Sequence, residues 1–201
     1  MAARVIVLAG PSGAGKSRLS QRVGLPILRL DDFYKDGDDP TLPRFTDGPN
    51  TGLADWDHPD SWHPQAAIET IAQLCDHGVA DVPVYDIASN GRTGHAALDL
   101  AGSDLFVAEG IFAADIVAAC ARAGHLAAAY CITQSPAVTA IRRLVRDLRE
   151  HRKPPVLLVK RGWRLMRTQP ALVESMVAKG CRPMTGDQGL HEIRATMMST
   201  A

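Results

Sequence analysis

The stretch Gly10-Pro-Ser-Gly-Ala-Gly-Lys-Ser17 decides the fold of this chain. It matches the pattern G-x-x-x-x-G-K-[ST] in full, directly after the β-branched run Arg4–Ala9 and at the opening of a segment with helical character, Lys16–Val23. Glycines let the backbone curl so that successive N–H groups converge on phosphate oxygens, and the helix N-terminus adds a favourable dipole. The sequence therefore predicts a phosphate-binding loop between a buried strand and a helix, rather than a glycine-rich turn with an exposed lysine.

Residues of this loop have separate expected roles in holding ATP and Mg²⁺. The Lys16 ammonium is expected to bridge the β- and γ-phosphates, and the Ser17 hydroxyl to ligate Mg²⁺. The other nucleotide contacts in this part of the chain are assigned to Gly10, Ser12, Gly13, Ala14, Gly15 and Arg18. A loop of this kind identifies the bound phosphates and leaves the fate of the γ-phosphate open.

Carboxylates follow two further predicted strands. Leu105–Ala108 is a buried strand followed by Glu109, and Ile27–Leu30 runs into Asp31 and Asp32. Because ligands of open α/β sheets bind at the carboxyl ends of the strands, these side chains are expected at the site. Glu109 is a candidate Mg²⁺ ligand, directly or through water, and either aspartate is a candidate to orient an acceptor hydroxyl and accept its proton. The alternatives are an exposed strand-end glutamate and ordinary turn aspartates.

Composition places the chain among folded proteins and argues against some functions. Its 201 residues carry 22 basic and 22 acidic side chains, so no overall field attracts polyanions and nucleic-acid binding is not expected. No apolar run reaches the roughly 18–20 residues of a membrane span, so no membrane association is expected, and Val5–Ala9 is too short for a signal-peptide core. The four cysteines lack metal-type spacing, which favours a reducing, cytoplasmic location.

Charge is unevenly placed along the chain. Nine aspartates lie between Asp31 and Asp60, whereas ten lysines and arginines lie between Arg142 and Arg167. Such blocks are often solvated faces or loops. The alternative is a cleft with an acidic hydroxyl-binding side and a basic phosphate-binding side, and the sequence leaves both open.

Predicted strands and helices alternate along the chain. Strands are predicted at 4–9, 27–30, 82–85, 105–108 and 126–133, and helices at 16–23, 64–77, 111–123, 136–153, 156–168, 171–178 and 187–201. Pro170 is expected to separate two helices, and a last strand near 181–185 is hard to find. The helix after Ser135 has an apolar stripe that is expected to face the core: Val138, Ile141, Val145 and Leu148. The alternation predicts an α/β fold with a doubly wound, mostly parallel sheet covered on both faces.

Five further segments follow the phosphate loop in order: Asp31-Asp-Phe-Tyr-Lys35, Trp56-Asp-His-Pro-Asp-Ser-Trp62, Pro83-Val-Tyr-Asp86 with Arg92, Val107-Ala-Glu-Gly-Ile111 and Arg142-Arg-Leu-Val-Arg-Asp147. Their order and spacing resemble the uridine kinase family, within the wider uridine kinase and phosphoribulokinase group of P-loop kinases. The resemblance covers roughly residues 4–180. It implies a nucleoside-kinase-like P-loop NTPase fold in one domain, 1–201, with an acceptor-binding insertion at about 31–95 and a helical lid at about 149–168.

The resemblance also implies individual roles. Asp31 matches the general base toward a ribose 5′-hydroxyl and lies near Mg²⁺, and Asp57 matches the residue that binds the ribose hydroxyls. A carboxylate suits a vicinal diol because it accepts two hydrogen bonds at once. Arg146 matches an arginine directed at the phosphates, and Arg152 belongs to the lid over ATP. The remaining substrate-binding positions are Tyr85 at the nucleobase, Arg143 at the ribose, Asn90 and Arg92.

Three positions depart from the family pattern. Asn90 stands where a base-reading histidine is usual, Asp32 where serine is common, and His151 where a lid arginine is usual. An asparagine amide both donates and accepts, so Asn90 fits a uracil or cytosine edge or a different ring. Asp32 fits either a second carboxylate near Mg²⁺ or a turn residue.

The expected function is ATP- and Mg²⁺-dependent phosphorylation of a nucleoside 5′-hydroxyl, with uridine or cytidine as the acceptor in pyrimidine salvage. A small-molecule acceptor is thus the expected partner, with a homo-oligomer as a further possibility. Two alternatives remain open. One is a P-loop kinase of another small alcohol, such as nicotinamide riboside, a vitamin or a sugar phosphate. The other is an ATP-binding regulatory module without phosphoryl transfer.

Overall fold

The computed structural model describes residues 2–48, 50–149 and 168–200, with the backbone alone for 143–149 and 200. The strands are β1 (Arg4–Ala9), β2 (Ile27–Arg29), β3 (Val79–Asp86), β4 (Gly91–Asp99), β5 (Leu105–Glu109), β6 (Leu126–Ile132) and β7 (Arg182–Met184). The helices are α1 (Lys16–Val23), α2 (Pro64–His77), α3 (Val117–Arg122), α4 (Pro136–Arg149), α5 (168–178) and α6 (Gly186–Thr200). Single 3-10 turns span Leu30–Phe33, Pro59–Ser61 and Ala113–Ile116.

The central sheet has five parallel strands in the order β2-β5-β1-β6-β7. Its middle strands β1 and β5 are almost wholly buried, as expected for parallel strands covered on both faces. Alternate residues of β1 point to opposite sides, so Val5 and Val7 pack with α2, α3 and α5, whereas Ile6 and Leu8 pack with α1 and α6. The predicted doubly wound α/β fold is confirmed.

A separate antiparallel hairpin of β3 and β4 lies beside this sheet. The sequence predicts only 82–85 of β3 and misses β4, because β4 is exposed along most of its length and lacks an alternating apolar pattern. The hairpin is fastened to the 3-10 turn at Leu30–Phe33, since the Asp32 carboxylate accepts a hydrogen bond from the Tyr85 N–H at 3.4 Å. It therefore belongs to the carboxyl edge of the sheet.

Several helix predictions need correction. Ser135 caps α4 as predicted, with the Val138 N–H donating to its Oγ at 3.4 Å. The prediction that Val138 and Ile141 face the core is wrong, because they are 36% and 62% exposed while Thr139 is buried. The predicted break at Pro170 is also wrong, since 168–178 is continuously helical. The predicted helix at 111–123 is a 3-10 turn followed by the shorter α3.

Two further predictions concern the last strand and the lid. The last strand near 181–185 is β7. The sequence hides it because it has only three residues and contains Pro183, which an outer strand of a sheet tolerates. The predicted lid at about 149–168, with His151 and Arg152, lies outside the described residues except at its two ends. Within the described part of the chain, no helix is long and apolar enough to cross a bilayer.

Candidate active site

The parallel sheet brings four chain segments to one edge. β2, β5, β1 and β6 are neighbours in that order, so the residues that follow each strand lie side by side. The 3-10 turn with Asp31 follows β2, Glu109 ends β5, the phosphate loop follows β1, and Gln134 follows β6. Glu109 lies in register with Leu8 of β1 and Arg29 of β2, which places it between the loop and Asp31.

Backbone geometry of the phosphate loop requires glycine. Gly10, Gly13 and Gly15 have φ values of 147°, 85° and 102°, which side-chain-bearing residues rarely adopt. Lys16 is buried, and its Nζ donates to the carbonyl oxygens of Gly10 at 2.8 Å and Pro11 at 3.3 Å. Gly15 caps α1 without a side-chain hydrogen bond, so the first N–H groups of the helix are suited to an anion. The predicted loop between strand and helix is confirmed.

Two carboxylate side chains belong to segments that meet at the end of β5. Glu109 is only 8% exposed, which is unusual for a glutamate. The next residue must be small, because a Cβ on Gly110 would lie 2.9 Å from the Leu30 Cβ and 3.3 Å from Asp31 Oδ1. Gly110 thus lets the 3-10 turn pack against β5, and it holds the Asp31 carboxylate next to the backbone that carries Glu109.

The oxygen ligands at this edge fit Mg²⁺. Hydroxyl and carboxylate oxygens are the ligands that this hard cation prefers, and Ser17, Asp31 and Glu109 supply them. The described residues contain no group of three or more His, Cys, Asp or Glu side chains that could hold a metal ion by themselves. Mg²⁺ is commonly bound by one or two carboxylates together with substrate phosphates, so the nucleotide is expected to complete this site.

Asp32 has a different environment from its neighbour Asp31. Burial raises the pKa of the Asp32 carboxyl above its ordinary 3.8, and this outweighs the opposing effect of Arg29, whose Nε lies 3.9 Å from Asp32 Oδ2. Its other oxygen accepts the hydrogen bond from the Tyr85 N–H. These contacts favour the structural interpretation of Asp32, as a link between the hairpin and the sheet.

Aromatic side chains cluster beside the acceptor motifs. The Tyr34 ring lies 5.7 Å from Trp56, 6.0 Å from Tyr85 and 6.0 Å from Phe112, centroid to centroid. The Tyr85 hydroxyl donates to the Lys35 carbonyl at 3.2 Å, and burial raises the pKa of Tyr85 to about 12. Sequence reasoning singles out Tyr85, but it misses Tyr34 and Phe112, although both stand within or next to the quoted motifs.

Two clefts meet the phosphate loop at opposite ends. The first, of about 300 Å³, touches the loop at Pro11 and is lined by Pro11, Asp57, Ile111, Phe112, Thr168, Gln169, Ala171 and Leu172. The second, of about 190 Å³, touches it at Ala14 and Gly15 and is lined by Ala14, Gly15, Arg18, Leu19, Arg22, Gln134, Arg142, Gly186 and Asp187. The α5 residues of the first cleft carry no motif signal, so sequence reasoning misses them. Arg142, in the second cleft, opens one of the quoted segments, but the sequence assigns it no role.

Three other predicted substrate residues with described side chains, Tyr85, Asn90 and Arg92, do not line the first cleft. Asn90 is exposed in the turn between β3 and β4 with φ of 52°, and its carbonyl accepts from the Gly37 N–H at 2.7 Å. The Arg92 N–H donates to Asp36 Oδ1 at 2.8 Å. Arg143 and Arg146 are placed on α4 by backbone alone, and Arg152 is outside the described residues.

Known proteins similar to this chain cover about half of it. It is 27% identical over 120 residues to a uridine kinase of Lactobacillus johnsonii, which is 53% of this chain and 51% of that protein. It is 29% identical over 119 residues to a uridine kinase of Staphylococcus aureus, which is 56% of this chain and 54% of that protein. An inorganic pyrophosphatase of Arabidopsis thaliana is 31% identical over 114 residues, only 16% of its length. No protein-family model matches.

A solved structure shares the fold over nearly the whole chain. It is named a fructose transport system kinase, from Silicibacter sp. TM1040, with a TM-score of 0.60 and 18% identity over 92% of this chain and 88% of that one. The aligned region spans about half the length of the uridine kinases that match in sequence. The chain is therefore similar in sequence to uridine kinases over half its length, and it has the α/β fold of P-loop kinases.

Proposed function

We propose that the protein transfers the γ-phosphate of ATP to the 5′-hydroxyl of a nucleoside, with uridine and cytidine as acceptors. The observation that carries this proposal is the position of the Asp31 carboxylate, against Gly110 at the sheet edge that holds the phosphate loop, where Gly110 directly follows the buried Glu109. Transfer to an alcohol needs a base for the hydroxyl proton and oxygen ligands for Mg²⁺ within reach of the same phosphates. The likeness to uridine kinases supports the choice of acceptor.

Each residue of the site has one task in this reaction. Lys16 and the loop N–H groups hold the phosphates. Ser17 and Glu109 would hold Mg²⁺, which would supply positive charge to the phosphates. The acceptor oxygen forms the new bond to the γ-phosphorus as the bond to the β-γ bridging oxygen breaks and ADP leaves. Asp31 accepts the hydroxyl proton. Arg146, on α4, is proposed to offset charge on the transferred group.

The two clefts give the reaction a direction. The cleft at Pro11 contains the Asp57 carboxylate, which is proposed to bind the ribose hydroxyls of the acceptor. Phe112 also lines this cleft and contacts the Tyr34 ring, which in turn contacts Trp56 and Tyr85, so a flat base would find aromatic surface nearby. The γ-phosphate must face this cleft, so the nucleoside end of ATP lies toward the cleft at Ala14 and Gly15.

The remaining proposed roles concern the acceptor and a lid over ATP. Arg143 is proposed at the ribose, and Arg152 in a lid over ATP at about 149–168. Residues 1–201 are proposed to form one kinase domain, in which 31–95 is the acceptor-binding insertion. Asn90 and Arg92 are proposed to meet the acceptor, which would require contacts from the turn between β3 and β4.

The position of Asn90 favours a second candidate, a kinase of another small alcohol. Its exposed, left-handed backbone fits a turn residue, because asparagine tolerates positive φ better than most residues. In that case another residue recognises the base of the acceptor, or the acceptor has no base. An acceptor without a pyrimidine ring would satisfy this arrangement.

The test is ADP release from ATP and Mg²⁺ across a panel of nucleosides, sugars and vitamin alcohols, with Asp31→Asn beside wild type. We expect stimulation by uridine or cytidine, a kcat about 10²- to 10⁴-fold lower in Asp31→Asn, and unchanged ADP affinity. Asp47→Asn is the matched control, because Asp47 is an exposed aspartate in the same acidic region. Stimulation by a different alcohol alone would replace the acceptor, and stimulation by none would reject the kinase.

A further inference from the structure

Gln169, on α5, is a buried polar residue in the lining of the cleft at Pro11. It is only 5% exposed. Five of the eight lining residues are apolar, so few side chains of this cleft can form hydrogen bonds. Binding clefts commonly combine apolar walls with a few polar groups, which fix the orientation of the ligand and give specificity. Gln169 is therefore a candidate for such a group.

One hydrogen bond fixes the orientation of the Gln169 side-chain amide. Its Nε2 donates to the Gln134 carbonyl oxygen at 2.8 Å. Because a carbonyl oxygen can only accept, the nitrogen of the amide must face Gln134 and the oxygen must lie on the other branch. Among the residues that the structure describes, none donates a hydrogen bond to this oxygen. A buried acceptor without a donor is unfavourable, so a ligand that supplies a donor in the cleft should bind more tightly.

The residue that anchors Gln169 follows the strand next to the phosphate loop. Gln134 comes three residues after Cys131 of β6, which lies in register with Ala9 of β1. Pro11 comes two residues after Ala9 and lines the same cleft as Gln169. In a nucleoside, the sugar carries the hydroxyl that is phosphorylated and the base lies beyond it. The part of the acceptor at this end of the cleft is therefore the sugar.

We propose that the side-chain oxygen of Gln169 accepts a hydrogen bond from a hydroxyl group of the acceptor's sugar. Asp57, which lines the same cleft, then binds the sugar together with Gln169 rather than alone. A sugar that lacks this hydroxyl leaves the buried oxygen without a donor, so the cleft discriminates against that deoxynucleoside. The inference rests on the proposed function in taking the occupant of the cleft to be a nucleoside.

The test measures equilibrium binding of uridine, 2′-deoxyuridine and 3′-deoxyuridine to the MgADP-loaded protein. We expect wild type to bind one of the deoxynucleosides about 10- to 100-fold more weakly than uridine. Gln169→Met removes the oxygen, so this ratio of dissociation constants should fall about 5- to 20-fold. Gln169→Lys also removes the oxygen but keeps a donor for the Gln134 carbonyl. It should lower the ratio as much as Gln169→Met does, with a Tm close to that of wild type.

Gln65→Met is the matched control. Gln65 is exposed on α2, where its Nε2 donates to Glu69 Oε1 at 3.0 Å, and its loss should leave the ratio as in wild type. An unchanged ratio in both Gln169 variants would overturn the proposal, because the oxygen would then contact no hydroxyl. Weakening of all three nucleosides by one factor would also overturn it, since that result indicates a purely structural role. So would a wild-type protein that does not bind uridine.

These titrations need no turnover. Uridine binding with the expected ratios, but without ADP release across the acceptor panel, would reject the kinase and support the role of Gln169.

Discussion

At Gly10 the chain leaves β1 with φ of 147°, and a Cβ there would come within 2.5 Å of the Ile132 carbonyl oxygen. The loop is thus packed against the end of β6 as closely as backbone atoms allow. Lys16 adds to this packing from within, because its ammonium bridges the Gly10 and Pro11 carbonyls. Glycine at position 10 therefore meets two requirements: it adopts the positive φ, and it leaves room for the Ile132 carbonyl.

Comparing Gly10→Ala with Gly102→Ala separates the cost of the positive φ from the cost of the close contact with Ile132. Gly102 has φ of 79° and nothing within 4 Å of its Cβ position, so alanine there should cost only about 1–2 kcal/mol of backbone strain. Gly10→Ala should lose roughly 1–3 kcal/mol more, because the Ile132 carbonyl must move, and it should bind MgADP weakly. Urea unfolding and ADP titration measure both, and equal stability losses in the two variants would contradict the close packing.

The β3–β4 hairpin is the element that links Asn90 and Arg92, two proposed acceptor residues, to the sheet edge. Asp36 Oδ1 accepts the Arg92 N–H at 2.8 Å, the Gly37 N–H donates to Asn90, and Tyr85 donates to Lys35. Its exposed strand β4 explains why the sequence predicts it poorly. The prediction that the apolar stripe of α4 faces the core is also wrong. Val138 and Ile141 have helical spacing, but they lie on the exposed face of the helix.

Asp36→Ala tests whether the hairpin positions the acceptor site. Loss of the hydrogen bond from the Arg92 N–H should destabilise the hairpin turn by about 1 kcal/mol. We expect faster amide hydrogen exchange in the hairpin turn and a severalfold higher acceptor KM, with ADP affinity unchanged. Asp38→Ala, at an exposed aspartate two residues away, is the control. Unaltered exchange in Asp36→Ala would show that other contacts hold the hairpin.

On the scale of the whole molecule, two cores flank one sheet, and the site lies at the carboxyl edge where both end. A ligand held there joins segments that follow different strands, so binding should stabilise the entire domain. MgADP at about 100 times its Kd should raise the free energy of unfolding by about 2.7 kcal/mol. For a chain of this length, that is a rise in Tm of roughly 5–11 °C.

Lys16→Ala should abolish most of this thermal shift, because the ammonium, held within the loop by the Gly10 and Pro11 carbonyls, is the group proposed to bind the nucleotide phosphates. Lys179→Ala is the control, since Lys179 is exposed after α5 and pairs with Asp115 at 2.5 Å. That variant should have a lower Tm without ligand but an unchanged shift with it. A full shift in Lys16→Ala would contradict the proposed donor site.

The sequence by itself determined the phosphate loop, the buried strands and the two strand-end carboxylates, because each depends on local pattern: glycine spacing, β-branched runs and the residue that follows a strand. Tertiary structure alone decided which side chains meet. Packing between distant segments places Asp31 against Gly110 and Arg142 near Gly15. It also makes Asp57 and α5 line the same cleft. Such contacts leave no periodic signal, because they are set by strand order and helix position rather than by neighbouring residues.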